Sequence, residues 1–239
     1  MAAHGQNLTS SIVQDLGIAI VTGEFASGKP FPVESQLCVQ YGVSRSVLRE
    51  AVKMLTAKGL LRARPRQGTR VQPEDEWNLL DPDVLRWMLE RKFSLDLLIQ
   101  FTEMRLAFEP GAAALAARNA DAERRAAITR GIERMLAAGR GEDDPLESDI
   151  AFHVAVLRAS GNQFYAHLRE LIETALRFSI RRTNAYKGVP LASVLDHKRV
   201  SDAIHDRDAA AAERHMRELI QEALNLLLEE QQKSARAKR

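Results

Sequence analysis

The sequence predicts a mostly α-helical chain in two parts: a short N-terminal helix-turn-helix closed by a β-hairpin, then a larger C-terminal antiparallel all-α bundle. Three observations carry this. Apolar residues recur at helical spacing almost throughout, β-prone runs are confined to residues 60–71, and Gly/Pro-rich breaks cut the remainder into helix-length segments. A length of 239 residues suits two modest domains. The expected division is 1–76, 77–231 and a basic, disordered tail at 232–239.

The first helix is marked by Leu8, Ile12, Leu16 and Ile20, one stripe at four-residue spacing, and it ends before Gly23 and the Gly28-Lys29-Pro30 stretch. A short helix over about Glu34–Tyr41 follows, then a break at Gly42. Ser44 is a good N-cap for a third helix running to about Lys58, with Gly59 placed as the terminating glycine. In that third helix Leu48, Val52 and Leu55 can face inward. Arg45, Arg49 and Lys53, spaced i, i+4, i+8, project from one side. Two short helices around a glycine turn, the second with a basic stripe, form a helix-turn-helix whose second helix fits the major groove. The runs Leu60–Arg64 and Thr69–Val71 flank the turn-forming Pro65-Arg66-Gln67-Gly68, which reads as a β-hairpin wing. The N-terminal part is therefore expected to be a winged helix-turn-helix. Arg66 at the wing tip either enters a minor groove or solvates a loop.

Charge supports the same division. Residues 1–72 hold nine Lys/Arg against four Asp/Glu, a net +5; the whole chain is +2, so the remainder is −3. Within 45–70 eight basic residues face one acid, Glu50. Such a stretch is either an electrostatic footprint for phosphate or an ordinary solvated face.

From Asp81 onward, helices are expected near 82–92, 95–118, 122–139, 147–160, 163–184, 191–206 and 208–231. Pro82 follows a capping Asp81, and Trp77–Asp81 is read as the connection between domains, with Trp77 packed. Pro110 is expected to kink its helix. The interior of such a bundle is a natural small-molecule site. Asp149 and His153 share one helix face, His197 lies on a later helix and Arg105 on an earlier one. Converging, they would bind an anionic ligand, a divalent metal or both; apart, they are ordinary surface or core residues.

Other classes are disfavoured. No apolar run approaches the ~20 residues of a membrane span. The opening MAAHGQNLTSS lacks the layout of a signal peptide, and the single cysteine, Cys38, cannot form an intrachain disulfide. A bacterial-type cytoplasm is the expected location. No nucleophile–base motif or paired carboxylates appear, so an enzyme is not expected. A nonspecific nucleic-acid binder would show steep salt dependence without sequence preference.

The stretch FPVESQLCVQYGVSRSVLREAVKMLTAKGLLRARPRQGTRV, Phe31–Val71, closely resembles the winged-helix signature of the GntR family of transcription regulators. The matched spacing includes Gly42-Val43-Ser44-Arg45, Arg49-Glu50-Ala51, Gly59-Leu60-Leu61 and Gly68-Thr69. The resemblance implies operator contacts from Arg45 and Arg49, helped by Ser44, Ser46 and, in the wing, Gly68 and Thr69; Lys53 joins them by its place on the same basic stripe and Arg66 by its place at the wing tip. Ser35 and Arg66 depart from the family pattern, which usually has arginine and glycine there, so operator sequence does not carry over. In the second part, SDIAFHVAVLRASGN and DHKRVSDAIHDRDAAAAERHM, with WNLLDPDVLRWMLE and EMRLAFEPGAAALAA, resemble the FCD-type ligand-binding domain of the FadR subfamily. That implies a divalent metal of zinc or nickel type on Asp149, His153 and His197, and an effector carboxylate on Arg105. The subfamily's fourth metal position falls on Leu219; His215, one turn away, is a poor substitute, and the alternative is a metal-free pocket in which Asp149, His153 and His197 bond effector hydroxyls directly. The incomplete set is similar to that of repressors of galactonate operons. By that similarity Asn184 and Ser193 line the pocket with Arg105, Asp149, His153 and His197. The effector is expected to be a small hydroxy-carboxylate, a sugar acid such as galactonate or gluconate. The implied protein is an effector-responsive regulator, a repressor of a catabolic operon, binding double-stranded operator DNA as a homodimer.

Overall fold

The structure, a computed structural model, describes residues 2–27, 29–64, 68–91, 94–187 and 193–237. Eleven α-helices and one two-stranded sheet are found among them, in two compact units that divide between residues 93 and 94.

The first unit begins with α1 (Ala2–Val21), whose Ile12, Leu16 and Ile20 are buried while Leu8 at the head of the same stripe is exposed. α2 (Glu34–Tyr41) and α3 (Arg45–Ala57) follow the expected boundaries. Gly42 between them takes φ +63°, a left-handed conformation that lets the chain reverse in one residue. The Ser44 hydroxyl accepts from Val47 N at 3.4 Å and starts α3. Leu48, Ala51 and Leu55 are fully buried, so α3 presents an apolar face inward. β1 (Leu61–Arg64) and β2 (Gly68–Val71) pair antiparallel, Leu61 opposite Val71 and Arg62 opposite Arg70. Phe31 N donates to Thr69 O at 2.8 Å, tying the α1–α2 connection to the wing.

α4 (Pro82–Arg91) packs within this unit, which extends past the 1–76 expected for the DNA-binding part and divides from the second between 93 and 94. Its indole explains why. Trp87 is fully buried against α1 and donates through Nε1 to Gln14 Oε1 at 3.0 Å. It lies so close to Gly17 that a Cβ there would be 2.3 Å from the ring. The end of α3 is tied to the same helix. Lys58 Nζ donates to Asp81 and Asp83 at 2.8–2.9 Å and stands 5.8 Å from the Trp87 ring centre. Asp81 meanwhile caps α4, accepting from Asp83 N and Val84 N. Trp77 is packed as expected, its Nε1 donating to Gln72 O. A Cβ at Gly59 would lie 2.6 Å from Glu76 O, so only glycine allows this approach.

The second unit is helical throughout: α5 (Leu95–Asn119), α6 (Ala122–Gly139), α7 (Pro145–Ala159), α8 (Gln163–His167), α9 (Arg169–Lys187), α10 (Val194–His205) and α11 (Ala209–Ala237). Side-chain oxygens of Ser94, Asp121, Asp144, Asn162 and Ser193 cap α5, α6, α7, α8 and α10, satisfying amides that the helices leave open. α5 runs through Pro110 as one helix, with Pro110 itself buried. α11 packs along α5, α6 against α7, and α10 against α11. The alanine-rich second half of α5 allows the close approach, with Ala113, Ala116 and Ala117 buried. Phe152 sits at the centre, fully buried, a burial that contributes about 1.5–3 kcal/mol. The tail expected to be disordered instead extends α11 as far as Ala237. Its Gln, Lys, Ala and Arg residues are strong helix formers, and Lys233 pairs with Glu230.

Candidate functional site

Three helices of the second unit bring five ionisable side chains together. α5 supplies Arg105 and Glu109, α7 supplies Asp149 and His153, and α10 supplies His197. All are at least 97% buried. The pairs Arg105/Glu109 and Asp149/His153 are each four residues apart, so each projects from one helix face. The convergence left open on spacing alone is therefore present.

The two imidazoles are oriented by their Nδ1 atoms. His153 Nδ1 lies 2.7 Å from Glu109 Oε2, and His197 Nδ1 lies 2.8 Å from the carbonyl oxygen of Ser193. Both acceptors leave Nε2 turned toward Asp149. The two Nε2 atoms stand 3.3 and 3.4 Å from Asp149 Oδ1. Among the described residues, Asp149 Oδ1 and His197 Nε2 find no hydrogen-bond partner despite full burial. Orphaned buried polar atoms demand a reason, and a metal ion supplies one. Ligand atoms about 2.0–2.1 Å from a tetrahedral ion are about 3.4 Å apart, which these separations match. Among the described residues, Asp149, His153 and His197 form the cluster able to hold an ion, their ligand atoms within 4.8 Å of one another.

Arg105 approaches from the other side. Its Nε donates to Glu109 Oε1 at 2.5 Å, and Nη2 lies 3.3 Å from His153 Nδ1. Burial would push the Glu109 carboxyl up, but the Arg105 guanidinium and His153 outweigh it and hold it at about 2. Burial likewise opposes ionisation of Asp149, yet His197 and His153 keep it well below the usual carboxylate range. His153 is pushed up: burial disfavours its charge, but Glu109 and Asp149 favour it more strongly.

The remaining expected residues fall as follows. Ser193 caps α10, its hydroxyl accepting from Asp196 N at 3.4 Å. Asn184 lies on α9, its side chain outside the described portion. Leu219 packs against the core as an apolar residue, and His215 is paired with Glu218 at 3.1 Å. Glu109 is not among the residues the sequence singles out; its i+4 spacing from Arg105 is the available signal.

The first unit carries a second candidate surface. Arg45, Arg49 and Lys53 are exposed along α3. Arg49 Nε donates to Glu34 Oε2 at 2.9 Å, so α2 steadies it. Lys53 lies 3.5 Å from Glu50, and the Ser44 and Ser46 hydroxyls share a hydrogen bond. In the wing, Gly68 opens β2 at φ +76° and Thr69 is half-buried. Opposed Arg62 and Arg70 set two exposed cations side by side. Arg66 lies outside the described residues.

Comparison with known proteins identifies both parts of the chain. The description "Bacterial regulatory proteins, gntR family" matches residues 8–71, and "FCD domain" matches residues 100–222. The galactonate operon transcriptional repressor of Escherichia coli (strain K12) is 35% identical over 87% of this chain and 91% of its own. An uncharacterized HTH-type transcriptional regulator of the same organism, YieP, is 33% identical over 88% and 91%. The solved structure described as "Lar controls the expression of the Listeria monocytogenes agr system and mediates virulence" shares the fold at TM-score 0.58 and 17% identity, covering 92% of this chain and 96% of that one. These domains are those of regulators, not enzymes, and no helix among the described residues is long and apolar enough to cross a membrane. The chain is a transcription regulator of the GntR family, built from a gntR-type helix-turn-helix domain and an FCD domain.

Proposed function

We propose that this chain represses a catabolic operon from the cytoplasm, binding operator DNA as a homodimer and releasing it when a small hydroxy-carboxylate enters the FCD domain. A sugar acid such as galactonate or gluconate is the effector this reading favours. The observation that carries it is the buried meeting of one guanidinium with Asp149, His153 and His197. A guanidinium takes a carboxylate by two parallel hydrogen bonds, while carboxylate and imidazole take hydroxyls. The named function of the 35%-identical repressor supports the same ligand class.

A zinc- or nickel-type ion fits the residues present. Asp149, His153 and His197 would hold it, leaving room for water or effector oxygen in place of a fourth protein ligand. When bound, such an ion acts as a Lewis acid toward effector oxygens. A metal-free pocket, in which the same three side chains bond effector hydroxyls directly, is the second reading. It is favoured by Leu219 at the expected fourth position.

On the DNA side, Ser44, Arg45, Ser46, Arg49 and Lys53 of α3, with Arg66, Gly68 and Thr69 of the wing, are assigned to the operator. Effector binding need only favour one arrangement of the two units to change DNA affinity. A thermal-shift screen of sugar acids, with and without EDTA, tests the effector and the metal together. A true ligand raises the melting temperature by mass action. Arg105→Ala should keep operator binding and lose its release by the acid. Release that persists in this variant removes the carboxylate clamp.

A further inference from the structure

We propose that Glu109 is a positioning residue serving both halves of the FCD site: it presents His153 to a metal ion and neutralises Arg105, so that anion binding depends on the metal. The inference rests on the effector and metal reading above.

Glu109 is 99% buried, and a buried carboxylate is costly unless its oxygens are fully engaged. Both are. Oε1 accepts from Arg105 Nε and Oε2 meets His153 Nδ1. An ionised carboxylate only accepts, so the Nδ1 it meets carries the proton. The lone pair of the neutral ring is then on Nε2, the atom facing Asp149 Oδ1 and His197 Nε2. A carboxylate behind a ligating histidine both fixes the ring and raises its basicity.

The second role follows from counting charges. With both imidazoles neutral, the form in which they ligate a metal, Arg105 is offset by Glu109, and Asp149 leaves the protein groups at one net negative charge. A single effector carboxylate is disfavoured there. A divalent ion makes the cluster positive by one charge, which that carboxylate neutralises. Glu109 thereby makes the guanidinium insufficient by itself.

Glu109→Gln separates the two roles, because its effects have opposite signs. Affinity for Zn2+ alone, measured by competition with a chromogenic chelator, should fall about 10–100-fold, the usual effect of losing such an outer partner. Affinity for D-galactonate in EDTA, measured by calorimetry, should rise roughly tenfold, because a negative charge within several ångströms of the bound anion is gone. Damage to the fold would weaken both. A variant that weakens both, or binds Zn2+ as tightly as the parent, overturns the proposal. Should Glu109→Gln unfold, the charge-balanced Arg105→Met/Glu109→Gln variant must still lose Zn2+ affinity; unchanged affinity overturns it equally. If the parent chain binds D-galactonate but no Zn2+, the metal reading falls and this inference with it. If it binds Zn2+ but not D-galactonate, the effector assignment falls and the Zn2+ measurement decides the role of Glu109.

Discussion

Replacing Arg49 with alanine should remove operator recognition while leaving the protein as stable as before, and the structure sets the size of both effects. The side chain is 62% exposed, and its ion-pair partner, Glu34, is 43% exposed. Surface pairs of this kind contribute about 0–1 kcal/mol, so the melting temperature should move by a few degrees at most. Against DNA the loss is larger. An arginine bonded in bidentate fashion to guanine is worth about 1–3 kcal/mol, and a homodimer on a two-fold operator uses it twice. The summed loss of about 2–6 kcal/mol corresponds to roughly 30-fold at the low end and more than 10,000-fold at the high end. Glu34→Gln frees Arg49 without removing it, so operator affinity should change by less than in Arg49→Ala. Fluorescence anisotropy with a labelled operator duplex, at one fixed salt concentration, measures all three proteins. Retained affinity in Arg49→Ala would refute the assignment. A lowered melting temperature together with lost binding would reduce it to a folding defect.

Three further outcomes can be checked. Gly17→Ala drives a Cβ into the Trp87 ring and should destabilise the first unit by about 1–3 kcal/mol, read by tryptophan emission during urea unfolding. Both tryptophans, Trp77 and Trp87, lie in that unit, so the emission follows it alone. Lys58→Met leaves Asp81 and Asp83 without their shared cation and should lower the same transition by about 1–2 kcal/mol at neutral pH, discounted for partial exposure. Burial would raise the Asp83 carboxyl, but Lys58 and Arg86 hold it below its ordinary 3.8, so its stabilisation is present above that pH and is lost as pH falls through the folded value. The parent should therefore weaken on acidification below about pH 4, and Lys58→Met should weaken less steeply; parallel acid limbs would contradict the assignment. Asp149→Asn should lose Zn2+ uptake while the bundle stays helical by circular dichroism, and undiminished uptake would remove Asp149 from the metal set.

Most of the architecture was legible because it depends on local chemistry. Ser44, Gly42 and Gly59 bounded α3 within a residue, and Asp81 with Pro82 fixed the start of α4. Those features act over a single turn, where sequence spacing and geometry coincide. Where α4 belonged was not legible in the same way. The chemistry that assigns it is a contact between Trp87 and Gly17, seventy positions away, which no periodicity records. The functional cluster shows the same division. Asp149 and His153 share a helix face by spacing, but only the packing of α5, α7 and α10 places Arg105 and His197 beside them. Glu109 stands alone among apolar neighbours in the sequence; its burial with Arg105 makes sense only once His153 is opposite.

The seat of α4 also decides where this protein can be recombined with its relatives. A chimera joined after residue 76 would graft a foreign α4 onto the native α1, losing the indole that Gly17 accommodates and the two carboxylates that Lys58 needs. A crossover between 93 and 94 transplants the whole DNA-reading module with its own interior intact. Hybrids cut at the later point should accumulate in folded form and acquire the donor's operator preference, while those cut at the earlier point should be degraded or aggregate.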